Sequence, residues 1–316
     1  MVFKLQNNRV RRTYLGGRRI DEFVGSVAVR DGALRPEDWL ASTVVAYNGS
    51  VEVEGEGLGR LADGALVKDV IGDLPILVKL LDCDERLVIQ AHPTVPFAKA
   101  RMNSPVGKTE CWYFLPGTAP DACVYLGFKP GVTREQWRRA FETQTGLLER
   151  LHRIPVRAGD FVFVDGGVPH AIGGGCFMIE LQEPSDLMVV AERVTPSGRR
   201  IPEGKIFCGL DLEDMLDVYD YQGRTVEDLC AKYVRRNIKE NGPVACVLGP
   251  ELTDKFSMWR LSGGATLSLE GAPAVAVVTE GEGSSDGLPV VKGDRLVVAD
   301  EPEFAVSGDV ELVLCK

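Results

Sequence analysis

Several things are missing from this sequence, and each absence removes a class of function. No run approaches the roughly 20 consecutive apolar residues of a membrane-spanning helix, so no transmembrane role is expected. Basic clusters are also missing. Arg11-Arg12 (with Arg9 nearby), Arg18-Arg19 and Arg138-Arg139 are too short to matter in a chain of net charge -10. General nucleic-acid binding needs a basic surface to displace counterions, and it is excluded on that ground. The segment Met1 to Tyr14 is polar and basic with no apolar centre, so no secretory signal is read there. None of the eight cysteines pairs at CxxC spacing. The expectation is a cytoplasmic protein with reduced thiols. Histidine is the scarcest informative residue, with only three in 316: His92, His152 and His170.

What is present reads mainly as β. The chain has 35 Gly and 18 Pro, with short Val-, Ile- and Phe-rich runs between them, a pattern of strands and turns. Ser50 to Gly55 alternates as a short strand. Further strands are expected at Leu74 to Asp82, Arg86 to Pro93, Lys108 to Leu115, Ala122 to Phe128, Asp160 to Gly166 and Cys176 to Gln182. Between Thr133 and Arg153 the period changes. Trp137, Phe141, Leu147, Leu148 and Leu151 suit one or two helices capped by Thr133, with His152 on their surface. A second helical stretch is expected from about Leu212 to Asn241, capped at Thr225 and stopped by Gly242. From Pro243 the pattern returns to β, including Val275 to Ser284 and Gly293 to Gly308, and this last third has no histidine.

The chemistry concentrates where strands and polar side chains coincide. Alternate residues of a strand share a face, so Gln90 points with His92, and Lys108 points with Glu110. If those strands line one barrel, four polar side chains converge on its interior, which an apolar core does not tolerate unless they bind something. In "GDFVFVDGGVPHAIG" a further histidine, His170, follows a sharp turn at the barrel mouth. A lone buried histidine is ordinarily a hydrogen-bonded core residue. Two of them with Gln and Glu at matching parity read instead as a divalent-metal site. Imidazole, carboxylate and amide oxygen suit zinc and tolerate other first-row ions.

Several motifs resemble type I mannose-6-phosphate isomerase: "IQAHP" (89–93), "GKTECWYFL" (107–115), "VDGGVPHAIGGG" (164–175) and "IELQEPSD" (179–186). They lie in order over roughly residues 74 to 190. Weaker echoes are "YLGG" (14–17) and "WLAS" (39–42). The 164–175 stretch also resembles the second cupin signature, with Asp165 where proline is usual. The resemblance implies a cupin-type jelly-roll barrel and zinc-dependent interconversion of an aldose and a ketose phosphate. It assigns the metal to Gln90, His92, Glu110 and His170, and gives Lys108 a part in proton transfer or substrate binding. The reaction moves a proton between adjacent carbons through an enediolate, which needs a polarised carbonyl and a base. Lys108 is a candidate base if its surroundings lower its pKa; otherwise its charge pairs with Glu110. Lys79 either snorkels to an edge or enters the site to meet an anionic substrate, as the resemblance implies. Glu180 and Gln182 share a parity that could line the cavity. Asp186 either caps a turn with Ser185 or binds substrate. Trp39, Trp112 and Tyr113 are core residues or stacking partners for a sugar ring.

One departure stands out. The family has an arginine four residues after the aspartate of "SD", and here that position is Val190. The nearest arginine is Arg193, of opposite strand parity. Losing a charge-stabilising donor costs about two to three orders of magnitude in rate. Three readings follow: Arg193 reaches the site by a bulge and acts catalytically, the enzyme takes a related sugar, or the chain binds metal and sugar with little chemistry. The expected organisation is a metal-binding cupin domain over 1–205, a helical segment over 206–242, and a smaller C-terminal β domain over 243–316 in a bicupin-like arrangement. The expected cofactor is Zn2+ and the expected partner a sugar phosphate. A non-catalytic sugar-phosphate binder and another cupin enzyme, such as an oxygenase or epimerase, are the rivals.

Overall fold

The computed structural model describes residues 1–26, 34–47, 54–236, 238 and 242–316. It is mainly β, with 35% strand and 17% helix, arranged in three antiparallel sheets, none of which closes among the described residues. The strand expected at Ser50 to Gly55 lies almost wholly outside the described residues, as does the end of the second helical stretch at Asn241.

Two of the sheets make the body that holds the expected site. One runs in the order Val189–Val190, Gln90–Ala91, His170–Ile172, Cys123–Phe128, Leu151–Pro155. The other runs Val234–Arg235, Phe161–Val164, Glu110–Phe114, Phe177–Gln182, Leu77–Asp82, Glu37–Leu40, Arg9–Val10. Their inner faces share one apolar core, with Trp112, Phe114, Val162 and Met178 from the second sheet against Val124, Leu126 and Ile172 from the first. The outer face of the five-stranded sheet is covered by Trp137 and Phe141 and by Met215 and Leu216. The helix Arg134–Thr143 carrying Trp137 and Phe141 begins in a capping box between Thr133 and Gln136, the arrangement that satisfies the first free amides of a helix.

Two sequence expectations change here. Leu151–Pro155 is a strand, so His152 is not helical. Its leucines mimic a helical period, but the segment pairs with Cys123–Phe128 in a register that sets His152 opposite Leu126. His152 Nε2 also lies 2.9 Å from the Arg224 carbonyl oxygen. The second helical stretch is two short helices, Leu212–Asp217 and Val226–Tyr233, the latter capped by Thr225 as expected. It ends in Val234–Arg235, which pairs with Phe161 and Val162.

The third sheet is built from residues 244–315, including the long strands Ala274–Ser285 and Glu303–Cys315. It also takes in Val2–Lys4, which pairs with Leu296 to Val298, so the sheets do not divide at a single point of the chain. Arg295 joins the two bodies through Asp38 at 2.7 Å.

Candidate metal centre

Strand register brings the ligands together. Gln90 pairs directly with His170, and residues opposite each other in an antiparallel pair share a face. His92 follows the strand Gln90–Ala91 and is held by Gly167, whose amide donates to the His92 carbonyl at 2.7 Å. Glu110 arrives from the other sheet, opposite Gln182. The loop before it is pinned on both sides: Glu183 accepts from the Thr109 amide at 2.8 Å, and Ser185 donates to the Gly107 carbonyl at 2.6 Å. Gly107 is required there, because a Cβ would lie 2.6 Å from the Pro93 carbonyl oxygen.

His92, Glu110 and His170 are fully buried, with ligand atoms all within 4.8 Å of one another. Glu110 Oε2 is 3.1 Å from His92 Nε2, and Oε1 is 3.3 Å from His170 Nε2. Each imidazole turns its Nδ1 to a backbone carbonyl at 2.9 Å, Leu187 for His92 and Val168 for His170. A carbonyl only accepts, so Nδ1 carries the proton and the Nε2 lone pair points inward. Both Glu110 oxygens are buried without a hydrogen bond, although Lys108 Nζ lies 3.0 Å from Oε2. Buried orphan acceptors are costly. Two imidazole lone pairs and a carboxylate aimed at one point fit a borderline divalent cation. The Gln90 amide nitrogen is 3.2 Å from His170 Nε2, and a half-turn of the amide would present its oxygen to the same point.

The titration behaviour suits that use. Burial, then Lys108, push His92 down to about 4, and burial pushes His170 down as well. Both are therefore neutral, the state a ligand needs. Burial opposes ionisation of Glu110, but Lys108 and the imidazoles prevail and hold it well below the carboxylate range. Of the two readings of Lys108, the ion pair with Glu110 is the one seen here. Burial pushes the Lys108 pKa down, yet Glu110, Glu180 and Asp186 raise it, so in this structure Lys108 is an ammonium paired with Glu110.

Beside the cluster lies a narrow cavity of about 40 Å3, lined among others by Gln90, Lys108, Lys79, Glu180 and Asp186. That is room for two or three waters. Lys79, Glu180 and Trp112 stand opposite one another across three strands. Lys79 does not snorkel: its Nζ is 2.7 Å from Glu180 and 2.6 Å from Gln182. Asp186 is more than a turn cap, since it takes a two-pronged contact from Arg12 at 2.8 and 3.0 Å. Trp39 and Trp112 are fully buried core residues, and Tyr113 is nearly so.

Val190 pairs with Gln90 and lines the cavity, so the arginine of the family motif has no substitute in the strand. Arg193 does not supply one. Its side chain is exposed, sits 5.0 Å over the Phe141 ring, and lines a separate open cleft of about 710 Å3. The strand ends at Val190, and Arg193 lies beyond it, with its backbone amide tied to Gln144. Ile201 lines both the cleft and the cavity beside the cluster. Sequence reasoning missed three buried charges in the cavity wall, Arg12, Glu37 and Lys205. Only Arg12 had a signal, two residues before the "YLGG" stretch.

Fold and site define a mainly β protein with two packed sheets and a buried His–Glu–His cluster able to hold a metal. Comparison with known proteins makes the class specific. The chain is 29% identical over 245 residues to mannose-6-phosphate isomerase ManA of Bacillus subtilis, covering 76% of this chain and 74% of the relative. Its fold matches a Bacillus subtilis mannose 6-phosphate isomerase crystal structure with TM-score 0.77 at 20% identity, covering 100% of this chain and 99% of that one. It also matches a zinc-bound mannose 6-phosphate isomerase with TM-score 0.70 at 16% identity, over 99% of this chain and 98% of that one. No family model matches the chain. Over about three quarters of its length the chain is similar to proteins named mannose-6-phosphate isomerase, the resemblance its motifs indicated.

Proposed function

We propose that this protein is a zinc-dependent aldose–ketose isomerase interconverting mannose 6-phosphate and fructose 6-phosphate, built on a cupin-type jelly roll with a degenerate second cupin in residues 243–316. The observation that carries the reading is the Glu110 carboxylate, buried without a hydrogen bond between two inward-facing imidazole lone pairs. His92, Glu110, His170 and the turned amide of Gln90 would hold the ion. A zinc ion bound there supplies Lewis acidity at the substrate carbonyl.

The chain's own residues supply the rest. Lys108, 3.0 Å from both His92 Nε2 and Glu110 Oε2, is the candidate for moving the substrate's proton between adjacent carbons; as an ammonium it must first release its own Nζ proton, and a cation held at Glu110 would favour that release. Glu180 and Asp186 offer acceptors to sugar hydroxyls, and Lys79 fixes Glu180 in place. Burial of the whole group excludes water, which strengthens each of these interactions. A hexose phosphate exceeds the cavity volume of about 40 Å3, so its binding requires the cavity walls to give way. The eight cysteines are all free thiols, which supports a cytoplasmic setting. No helix among the described residues is long and apolar enough to cross a membrane.

Val190 favours a second reading, a metal-dependent sugar-phosphate binder with little turnover or an isomerase of a related sugar. Metal analysis followed by an assay of mannose 6-phosphate and fructose 6-phosphate interconversion separates them. Turnover lost together with the metal in His92→Ala supports the isomerase, with a fall of about a thousandfold, the several kcal/mol of a Lewis acid. Tight sugar-phosphate binding without turnover in the native protein rejects it in favour of the binder.

A further inference from the structure

The cavity beside the ligand cluster has a cationic end that no motif selects. Lys205 comes from the short helix Glu203–Phe207, is 3% exposed, and lines the cavity with Arg12. Its strongest charged neighbours are Arg12, Asp186, Glu37 and Lys79. Those of Lys108 are Glu110, Glu180 and Asp186. Asp186 is common to both, and Lys108, Asp186 and Lys205 all line the one cavity beside the ligand cluster of His92, Glu110 and His170. Asp186 is already engaged there by both Arg12 nitrogens and by the Tyr47 amide at 2.8 Å.

We propose that Lys205 is the specificity-determining residue for the substrate's phosphate. Its ammonium, beside Arg12, holds the anionic group of a phosphorylated sugar whose reacting carbons lie toward Glu110. This rests on reading the site as that of a sugar-phosphate isomerase, and three observations support it. In and beside the cavity, Arg12, Lys79, Lys108 and Lys205 are balanced by Glu37, Glu110, Glu180 and Asp186, all buried. A divalent ion at Glu110 would leave that interior with excess positive charge, and uncompensated buried charge is strongly unfavourable. A phosphate monoester, with about −1.5 to −2 charge at pH 7, restores the balance. Second, Lys205 is under strain as an ion. Burial, then Arg12, push it down to about 8, and an arriving anion relieves both. Third, Val190 offers no charge of its own, so the cations at this end of the cavity come from Arg12 and Lys205, outside the strand motifs.

Calorimetry on the zinc-loaded protein with mannose 6-phosphate, mannose and inorganic phosphate tests this without turnover. Lys205→Met is expected to lose about 10- to 100-fold in affinity for mannose 6-phosphate and for inorganic phosphate, the range of a charge-assisted hydrogen bond. Its affinity for mannose and its zinc content should not change. Lys205→Arg should recover most of the loss, and Lys205→Gln serves as the neutral variant if the methionine protein folds poorly. Unchanged phosphate affinity in the neutral variants overturns the proposal, as does loss of zinc or of mannose affinity in parallel. If the native protein binds inorganic phosphate through Lys205 yet never turns over the sugar, the isomerase reading fails and the anion site stands. If the native protein binds neither phosphate nor mannose 6-phosphate, both fail.

Discussion

Inside the site-bearing sheets lie Lys79, Lys108, Glu110, Glu180 and Gln182, every one of them buried. Inside the sheet of residues 244–315 lie Leu261, Ala274, Ala276, Val278, Leu296, Val298, Leu312 and Leu314, equally buried and all aliphatic. Both bodies are antiparallel β, so strand geometry does not account for the contrast. Aliphatic packing stabilises at about 25 cal/mol per Å2 of buried apolar surface. A buried ion pair often contributes less than an apolar replacement of the same volume. The N-terminal body therefore keeps its charges at the expense of stability, which is the signature of a binding interior, while the C-terminal body is a stabilising core.

The sharpest test of that contrast is to unbalance one interior. Asp186→Ala leaves Arg12 buried against Glu37 alone and is expected to cost about 3–5 kcal/mol in urea unfolding. The double variant Arg12→Met, Asp186→Leu should regain most of that stability while losing sugar-phosphate affinity. If the double variant is no more stable than Asp186→Ala, the charges are structural and the contrast collapses. In the other body, Leu296→Ala is expected to cost about 2–5 kcal/mol by leaving a cavity. Zinc content, measured on the same sample, should stay at the native level.

The ligand cluster was legible because it obeys a local rule. Gln90 with His92, and Lys108 with Glu110, are each two residues apart, and although His92 and Lys108 lie just outside the strands, the two-residue spacing still brings each pair to the cluster. Thr133 was legible for the same reason, since capping is decided within four residues. Arg12 and Asp186 are 174 positions apart, and Lys205 reaches the cavity from a five-residue helix. Neither the Arg12–Asp186 contact nor the approach of Lys205 has a period or spacing to read, so only the folded chain reveals them. His152 was misread because Leu147, Leu148 and Leu151 fit a helical face, whereas pairing with Cys123–Phe128 decides the backbone. Tertiary pairing also takes Val2–Lys4 to the far sheet, which no local pattern announces.

The charged interior should also show itself in acid. Glu37 is buried, which opposes its ionisation, but Arg12 and Lys79 outweigh that and hold it down to about 2. Its folded pKa lies below its unfolded value, so its stabilisation is complete above about pH 4.5 and is lost as the pH falls from there toward 2. Asp186, lowered chiefly by Arg12 against the effect of burial, adds to the same limb. Melting temperature followed from pH 6 to pH 2.5 should fall less steeply in Glu37→Gln than in the native protein. Parallel curves would mean that this carboxylate does not couple folding to protons.

The smallest expected effect concerns Arg193, and it decides how Val190 is understood. Were Arg193 the displaced arginine of the motif, removing it would cost two to three orders of magnitude, the usual worth of about one charge-stabilising donor. Its placement argues otherwise. It is exposed, its backbone amide is tied to Gln144 at 2.9 Å, and its guanidinium rests on Phe141 in the open cleft. An exposed cation–π contact is worth about 0.5–1 kcal/mol. Arg193→Ala should therefore lower stability by no more than that and change turnover less than about threefold. Val190→Arg is the complementary change, since residue 190 pairs with Gln90 and faces the cavity. A large loss of turnover in Arg193→Ala would mean that the cleft closes over the site during the reaction and carries Arg193 to the substrate. The division between a charged inner cavity and a passive outer cleft would then be one of conformation.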